Sequence, residues 1–155
     1  RWERGRMKKA EILFHVTRAL NVLLKNDVWL LHSDANERSI SHKLAEYLQQ
    51  EFPDWNVDCE YNRDGLIPKS LALPKTQPTA DDEHAITVFP DVIVHHRNTA
   101  DNLLAIEMKK SSNPTGPGFD RRKLKAFVKQ KGYRLGLFIR VKVGNKPGFR
   151  FEGYE

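Results

Sequence analysis

The chain has 155 residues, of which 39% are hydrophobic and 30% charged; that balance excludes a disordered or fibrous chain and suffices for one buried core. The formal charge is +6, and from Asp101 onward thirteen Lys and Arg face five Asp and Glu, a basic third that points to a polyanionic partner, nucleic acid first, against the plainer reading of a solvated basic surface. Cys59 is the single cysteine, which excludes a disulfide framework and a cysteine zinc site and fits a reducing, cytoplasmic setting.

Residues 1–6 are set aside as a remnant or linker, and residues 7–155 are expected to form one domain. Residues 7–25 predict a helix, with Ile12, Leu13, Val16, Ala19, Leu20, Leu23 and Leu24 at helical spacing. "DVWLL" then extends that helix or docks a loop. Charges at Arg18, Lys25 and Asp27 break the apolar runs here. No run reaches the roughly 18–20 residues of a membrane span and no signal peptide is visible, so no membrane partner is expected.

In "SDANERSISHKLAEYLQQEFPDW", Asp34 and Glu37 have capping-box spacing, Ile40, Leu44, Tyr47 and Leu48 form an apolar stripe, and Pro53 stops the helix. "NVDCEYN" alternates Val57, Cys59 and Tyr61 against Asp58, Glu60 and Asn62, the pattern of a half-buried strand. Residues 63–84 lack periodicity and hold Pro68, Pro74 and Pro78; they predict a long loop. Strands follow at 86–95 and 102–109. "SSNPTGPG" reads as a loop. Residues 120–131 predict a basic helix with Leu124, Phe127 and Val128 inward and Gly132 ending it. "YRLGLFIRVKV" and "GFRFEGY" predict two last strands. The order implies an α/β or α+β architecture around a mixed central sheet flanked by helices.

Two of these strands carry charge among Val, Ile and Leu. Glu107 and Lys109 are two apart and share a face. A hairpin through "RNTAD", symmetric about Thr99, sets Ile93 opposite Ala105, Val92 opposite Ile106 and Asp91 opposite Glu107. Opposed residues have Cβ atoms about 4.5–5.5 Å apart. Two carboxylates there need a raised pKa, the amine of Lys109, or a divalent cation such as Mg²⁺.

Pro90-Asp91, fifteen residues, then Glu107-x-Lys109 on the next strand resembles the signature of the PD-(D/E)XK nuclease superfamily. The order helix, three-stranded meander, helix, strand over about residues 34–141 resembles its restriction-endonuclease-like core. The resemblance implies Mg²⁺ (or Mn²⁺ in its place) held by Asp91, Glu107 and the backbone carbonyl of Met108. It implies Lys109 as the amine that orients or activates the attacking water, and a helix carboxylate, Glu37, completing the catalytic set. Glu37 has a plainer reading as the third position of a capping box. Glu60 is the alternative third carboxylate. Lys123 or Gln130 is a candidate helix residue reaching the site.

Arg121, Arg122, Lys123, Lys125 and Lys129 are expected to contact nucleic-acid phosphates, or else to form a charged solvent face. His95 and His96 read as surface or turn residues rather than metal ligands. Trp29 and Trp55 read as core. The expected activity is hydrolysis of phosphodiester bonds, with DNA ahead of RNA as substrate. The rival is a catalytically inactive nucleic-acid-binding module of the same fold within a larger assembly, and a third reading is a protein-binding domain. A homodimer, or membership of a larger protein, is the expected setting.

Overall fold

A computed structural model describes residues 7–60, 63–64, 67–68, 70–71, 86–87 and 90–154. In chain order the elements are α1 (Lys9–Asn26), α2 (Val28–His32), α3 (Glu37–Glu51), β1 (Asn56–Cys59), β2 (Arg63–Asp64), β3 (Ile67–Pro68), β4 (Ser70–Leu71), β5 (Ile86–Thr87), β6 (Val92–His95), β7 (Asn102–Lys110), α4 (Gly118–Lys131), β8 (Leu135–Lys142) and β9 (Gly148–Tyr154). The fold is α/β. Among the described residues an open five-stranded sheet has the order β1-β6-β7-β8-β9. β1, β6 and β7 form an antiparallel meander, β7 and β8 are parallel, and β9 returns antiparallel. The parallel pair requires a crossover, and α4 supplies it.

The apolar stripes decide which helix covers which face. Ile12, Val16, Leu20 and Leu23 of α1 and Ile40, Leu44 and Leu48 of α3 are buried with Val92, Val94, Leu104, Ile106 and Met108 on one face. The opposite parity, Ile93, Ala105 and Phe138, packs under Leu124, Phe127 and Val128 of α4. Each such aliphatic side chain contributes about 1.5–3 kcal/mol through burial. The β6–β7 register thus sorts the side chains between two layers.

α4 can lie close on β8 because position 136 has no side chain. A Cβ built at Gly136 would stand 2.4 Å from Val128 Cγ2 and 3.4 Å from Leu124 Cδ1. Gly136→Ala is expected to destabilise by about 1–3 kcal/mol through overpacking, read as a lower urea midpoint with an unchanged slope. A midpoint equal to wild type contradicts that packing. Gly132 ends α4 in the left-handed region, at φ 70°, as its position predicts.

Several expectations need correcting. The strand expected over 86–95 is divided: Ile86 and Thr87 pair with Leu71 and Ser70, whereas the central strand begins at Val92. The loop expected over 63–84 contains β2, β3 and β4; its other residues lie outside those described, as do Tyr61 and Asn62. "DVWLL" starts a helix of its own, α2, which leaves Trp29 73% exposed rather than in the core. No helix among the described residues is long and apolar enough to cross a membrane.

Candidate active site

β6 and β7 pair in the register that symmetry about Thr99 predicts, Val92 with Ile106, Ile93 with Ala105 and Val94 with Leu104, before slipping at His95. Extending it one step sets Asp91 beside Glu107. The Asp91 amide donates to Glu107 Oε1 at 3.3 Å, and the Met108 amide donates to Asp91 Oδ2 at 2.6 Å. Glu107 and Lys109 take the parity of Ala105, so both point to the α4 side, where they are only 4% and 5% exposed. The Met108 side chain packs in the opposite layer, so Met108 meets this site through its backbone.

α4 answers the buried charges. Lys123 Nζ lies 2.6 Å from Glu107 Oε2 and 3.9 Å from Asp120 Oδ1, while Asp120 Oδ2 lies 2.6 Å from Lys109 Nζ. The four groups alternate in sign along one line: Glu107, Lys123, Asp120, Lys109. Asp120 and Lys123 are three apart on the helix and therefore neighbours on its surface. Lys109 Nζ also donates to the carbonyls of Thr115 and Gly116, at 3.4 and 3.5 Å, in the loop that leads into α4. That loop folds back over the lysine and fixes where its ammonium stands.

Glu37 is not the third position of a capping box. Asn36 caps α3, its Oδ1 accepting from the Ser39 amide at 2.7 Å. Glu37 is then the first helical residue, and its carboxylate is directed across to β7. Glu37 Oε2 accepts from the Lys110 amide at 2.8 Å and from Asn113 Nδ2 at 3.4 Å. Asp34, the expected cap, instead pairs with Lys110 Nζ at 2.9 Å. Glu60, the alternative carboxylate, lies beyond β1, pairs with Arg38 at 3.3 Å and borders a neighbouring cavity together with Glu37 and Asp91.

Glu37, Asp91, Glu107, Lys109, Asn113 and Asp120 line one cleft of about 360 Å³. Burial pushes the Glu107 carboxyl well above the usual carboxylate range, and Asp91 beside it pushes the same way against the pull of Lys123. Burial also raises Asp91, with Glu37 and Asp120 adding to it, while the Met108 amide and Lys123 draw it down. For Lys123, burial favours the neutral amine, but Glu107, Asp120 and Asp91 outweigh it and hold the ammonium above its usual value.

These shifts have a measurable sign. Above the ordinary carboxylate pKa of about 4 and below the raised folded values, the folded state binds more protons than the unfolded chain. Stability therefore falls as pH rises through that interval. In EDTA the urea midpoint should decline across it, and Glu107→Gln should flatten the decline. A slope that Glu107→Gln leaves unchanged contradicts the buried-acid assignment.

No protein-family model, curated protein or solved structure matches the chain. Its chemistry therefore rests on its own donor atoms. Two carboxylates that burial makes reluctant to ionise are stabilised by nearby positive charge, which Lys123 supplies at Glu107. The donors are oxygens, which suits a hard ion, and Mg²⁺ characteristically takes one or two carboxylates and keeps several waters. Among the described residues no group of three or more His, Cys, Asp or Glu side chains is arranged to hold a metal; Asp91 and Glu107 offer two carboxylates at the cleft.

The expected basic helix divides into two parts. Lys123 turns inward to Glu107 rather than out to solvent. Arg122, Lys125 and Lys129 are exposed, and Arg121 is half-buried with its guanidinium carbon 5.2 Å from the Phe138 ring centroid. Gln130 is exposed and is not among the residues that line the cleft. His95 is not a surface residue: it is 2% exposed, with Nε2 2.7 Å from Asp58 Oδ2. His96 stacks on Trp55 with centroids 3.9 Å apart. Asp120 and Asn113 were not anticipated. The available signal for Asp120 was an acid in the first turn of a basic helix, three residues before Lys123.

Proposed function

We propose that the chain is a divalent-metal-dependent nuclease that hydrolyses phosphodiester bonds, DNA ahead of RNA, with a restriction-endonuclease-like core of the PD-(D/E)XK type. The observation that carries this reading is the meeting of Asp91 and Glu107 with the Lys109 ammonium in one cleft. The meander, crossover helix and parallel strand around it agree with the order expected for that core.

In this reading Asp91 and Glu107 hold Mg²⁺, with the Met108 carbonyl as a further oxygen. A cation held by these residues would supply the Lewis acidity that phosphodiester hydrolysis needs. Lys109 orients the attacking water. Its ammonium is already held by Asp120 and two carbonyls, so little ordering remains at the moment of reaction. Lys123 balances the charge of Glu107 and is positioned to offset charge on the phosphoryl group. Glu37 positions the end of β7 through the Lys110 amide and adds negative charge beside Asp91. The exposed Arg122, Lys125 and Lys129 supply salt-sensitive contacts to the strand backbone.

Lys123 against Glu107 also suits the rival, a binding module in which a lysine takes the place of the ion. A cleavage assay on single-stranded, duplex and branched DNA separates the two. Cleavage with Mg²⁺ or Mn²⁺ that stops in EDTA supports the nuclease. Salt-sensitive binding without cleavage under any metal supports the module.

A further inference from the structure

The sheet is open, and its two edges are unlike. β1 ends it on one side with four residues, whereas β9 ends it on the other with seven. Short strands, bulges and prolines commonly keep a sheet edge from pairing with another chain. β9 uses none of these. It contains no proline, and it pairs with β8 without a break in register, from Gly136 with Tyr154 to Lys142 with Gly148. Among the described residues no strand lies beyond it, so the outer row of its backbone N–H and C=O groups has no ladder to join. Phe151, at the midpoint of β9, is 37% exposed, although its ladder partner Ile139 is fully buried.

The plainer reading of Arg150 and Glu152 is a pair of charges that keep the edge solvated. Their order argues for more. The run G-F-R-F-E-G-Y is complementary to itself when read in reverse. Two copies laid antiparallel and centred on Phe151 set Arg150 opposite the partner's Glu152, and Glu152 opposite the partner's Arg150. Phe149 then meets the partner's Gly153, Gly148 meets the partner's Tyr154, and the two Phe151 positions meet on the axis. Opposite charges at directly opposed positions stabilise a sheet and like charges destabilise it. An aromatic residue across from an edge glycine covers the backbone that the glycine leaves bare. Centring on Arg150 or on Glu152 instead sets like charge against like. Opposed residues share a face, so the α4 face of one copy continues into the α4 face of the other, with both acidic clefts on the same side.

We propose that the β9 edge is a self-association surface, through which two copies of this chain pair antiparallel along Gly148–Tyr154 about Phe151 and join their sheets into one. This inference does not depend on the nuclease reading.

Sedimentation velocity on the full chain, over a series of concentrations, tests it. Wild type should form a dimer with a measurable dissociation constant. Arg150→Glu alone and Glu152→Arg alone each set like charges opposite one another twice in a homodimer, and each should raise that constant about tenfold or more. The charge introduced by Arg150→Glu is opposite to that of its β8 partner, Arg140, so the fold is not weakened by it. Mixed in equal amounts, the two single variants should associate with each other, because one then carries both acids and the other both cations. The double variant, with the charges exchanged, should dimerise as wild type does. Recovery in the mixture separates a lost interface from a lost fold. A wild type that stays monomeric throughout, a dimer that the single variants leave unchanged, or a loss that the mixture does not restore overturns the proposal.

Discussion

If the chain is the nuclease proposed, Glu107→Gln is expected to abolish Mg²⁺-dependent cleavage, and Lys109→Met to lower its rate by about 10²–10⁴-fold while sparing metal affinity. The two residues are neighbours on one face of β7, both almost fully buried, yet their expected defects differ in kind. Glu107 is one of two carboxylates that meet, and without its charge the cation loses half of its side-chain ligands. Loss of the polarisation that the metal supplies is worth several kcal/mol, or about 10³-fold or more in rate. Lys109 Nζ is held by Asp120 and the carbonyls of Thr115 and Gly116. Its loss leaves the acidic pair in place and removes the group that positions the nucleophile. Single-turnover rates measured beside Mn²⁺ titrations read the two effects apart. Equal loss of metal affinity in both variants contradicts this division of roles.

Lys123→Ala is expected to do two opposed things. Its ammonium lies 2.6 Å from Glu107 Oε2 and is the nearer of its two acidic contacts. Removing one member of a buried pair typically costs 3–5 kcal/mol. Here Glu107 can take up a proton, which limits the loss to about 2 kcal/mol in EDTA. With a divalent ion present the sign reverses. A cation competes with Lys123 for the same oxygen and is repelled by its charge, so the variant should bind Mn²⁺ on the order of tenfold more tightly. Thermal melts with and without Mn²⁺ should show a variant less stable than wild type when metal-free, with the larger metal-induced rise. A smaller rise than wild type contradicts the view that Lys123 holds the ion's place.

The meeting of Asp91 and Glu107 was readable in advance because the hairpin is simple. Apolar residues flank "RNTAD" symmetrically, and burial on both faces leaves little freedom of register. The same pattern contains no information about α4's charges. Leu124, Phe127 and Val128 show which way the helix faces, but Lys123, at the margin of that stripe, reads as a solvated lysine unless a buried acid is known to lie opposite. Asp34 and Asn36 are equally good caps by residue type. The choice of Asn36 follows from tertiary bonds: Asp34 is taken by Lys110 and Ser112, both far along the chain. The burial of His95 is hidden from the sequence for a similar reason. Its burial depends on Asp58 of β1, and the β1–β6 pairing has no local signature.

Titration of Mn²⁺ or Mg²⁺ by calorimetry into wild type and Asp91→Asn tests the proposed metal site most directly, because it asks whether two acids on adjoining strands act as one binding site before any catalysis is required. Saturable binding by wild type, reversed by EDTA and lost in a folded Asp91→Asn, is the predicted result. Equal heats in the two proteins, or none in either, would contradict it.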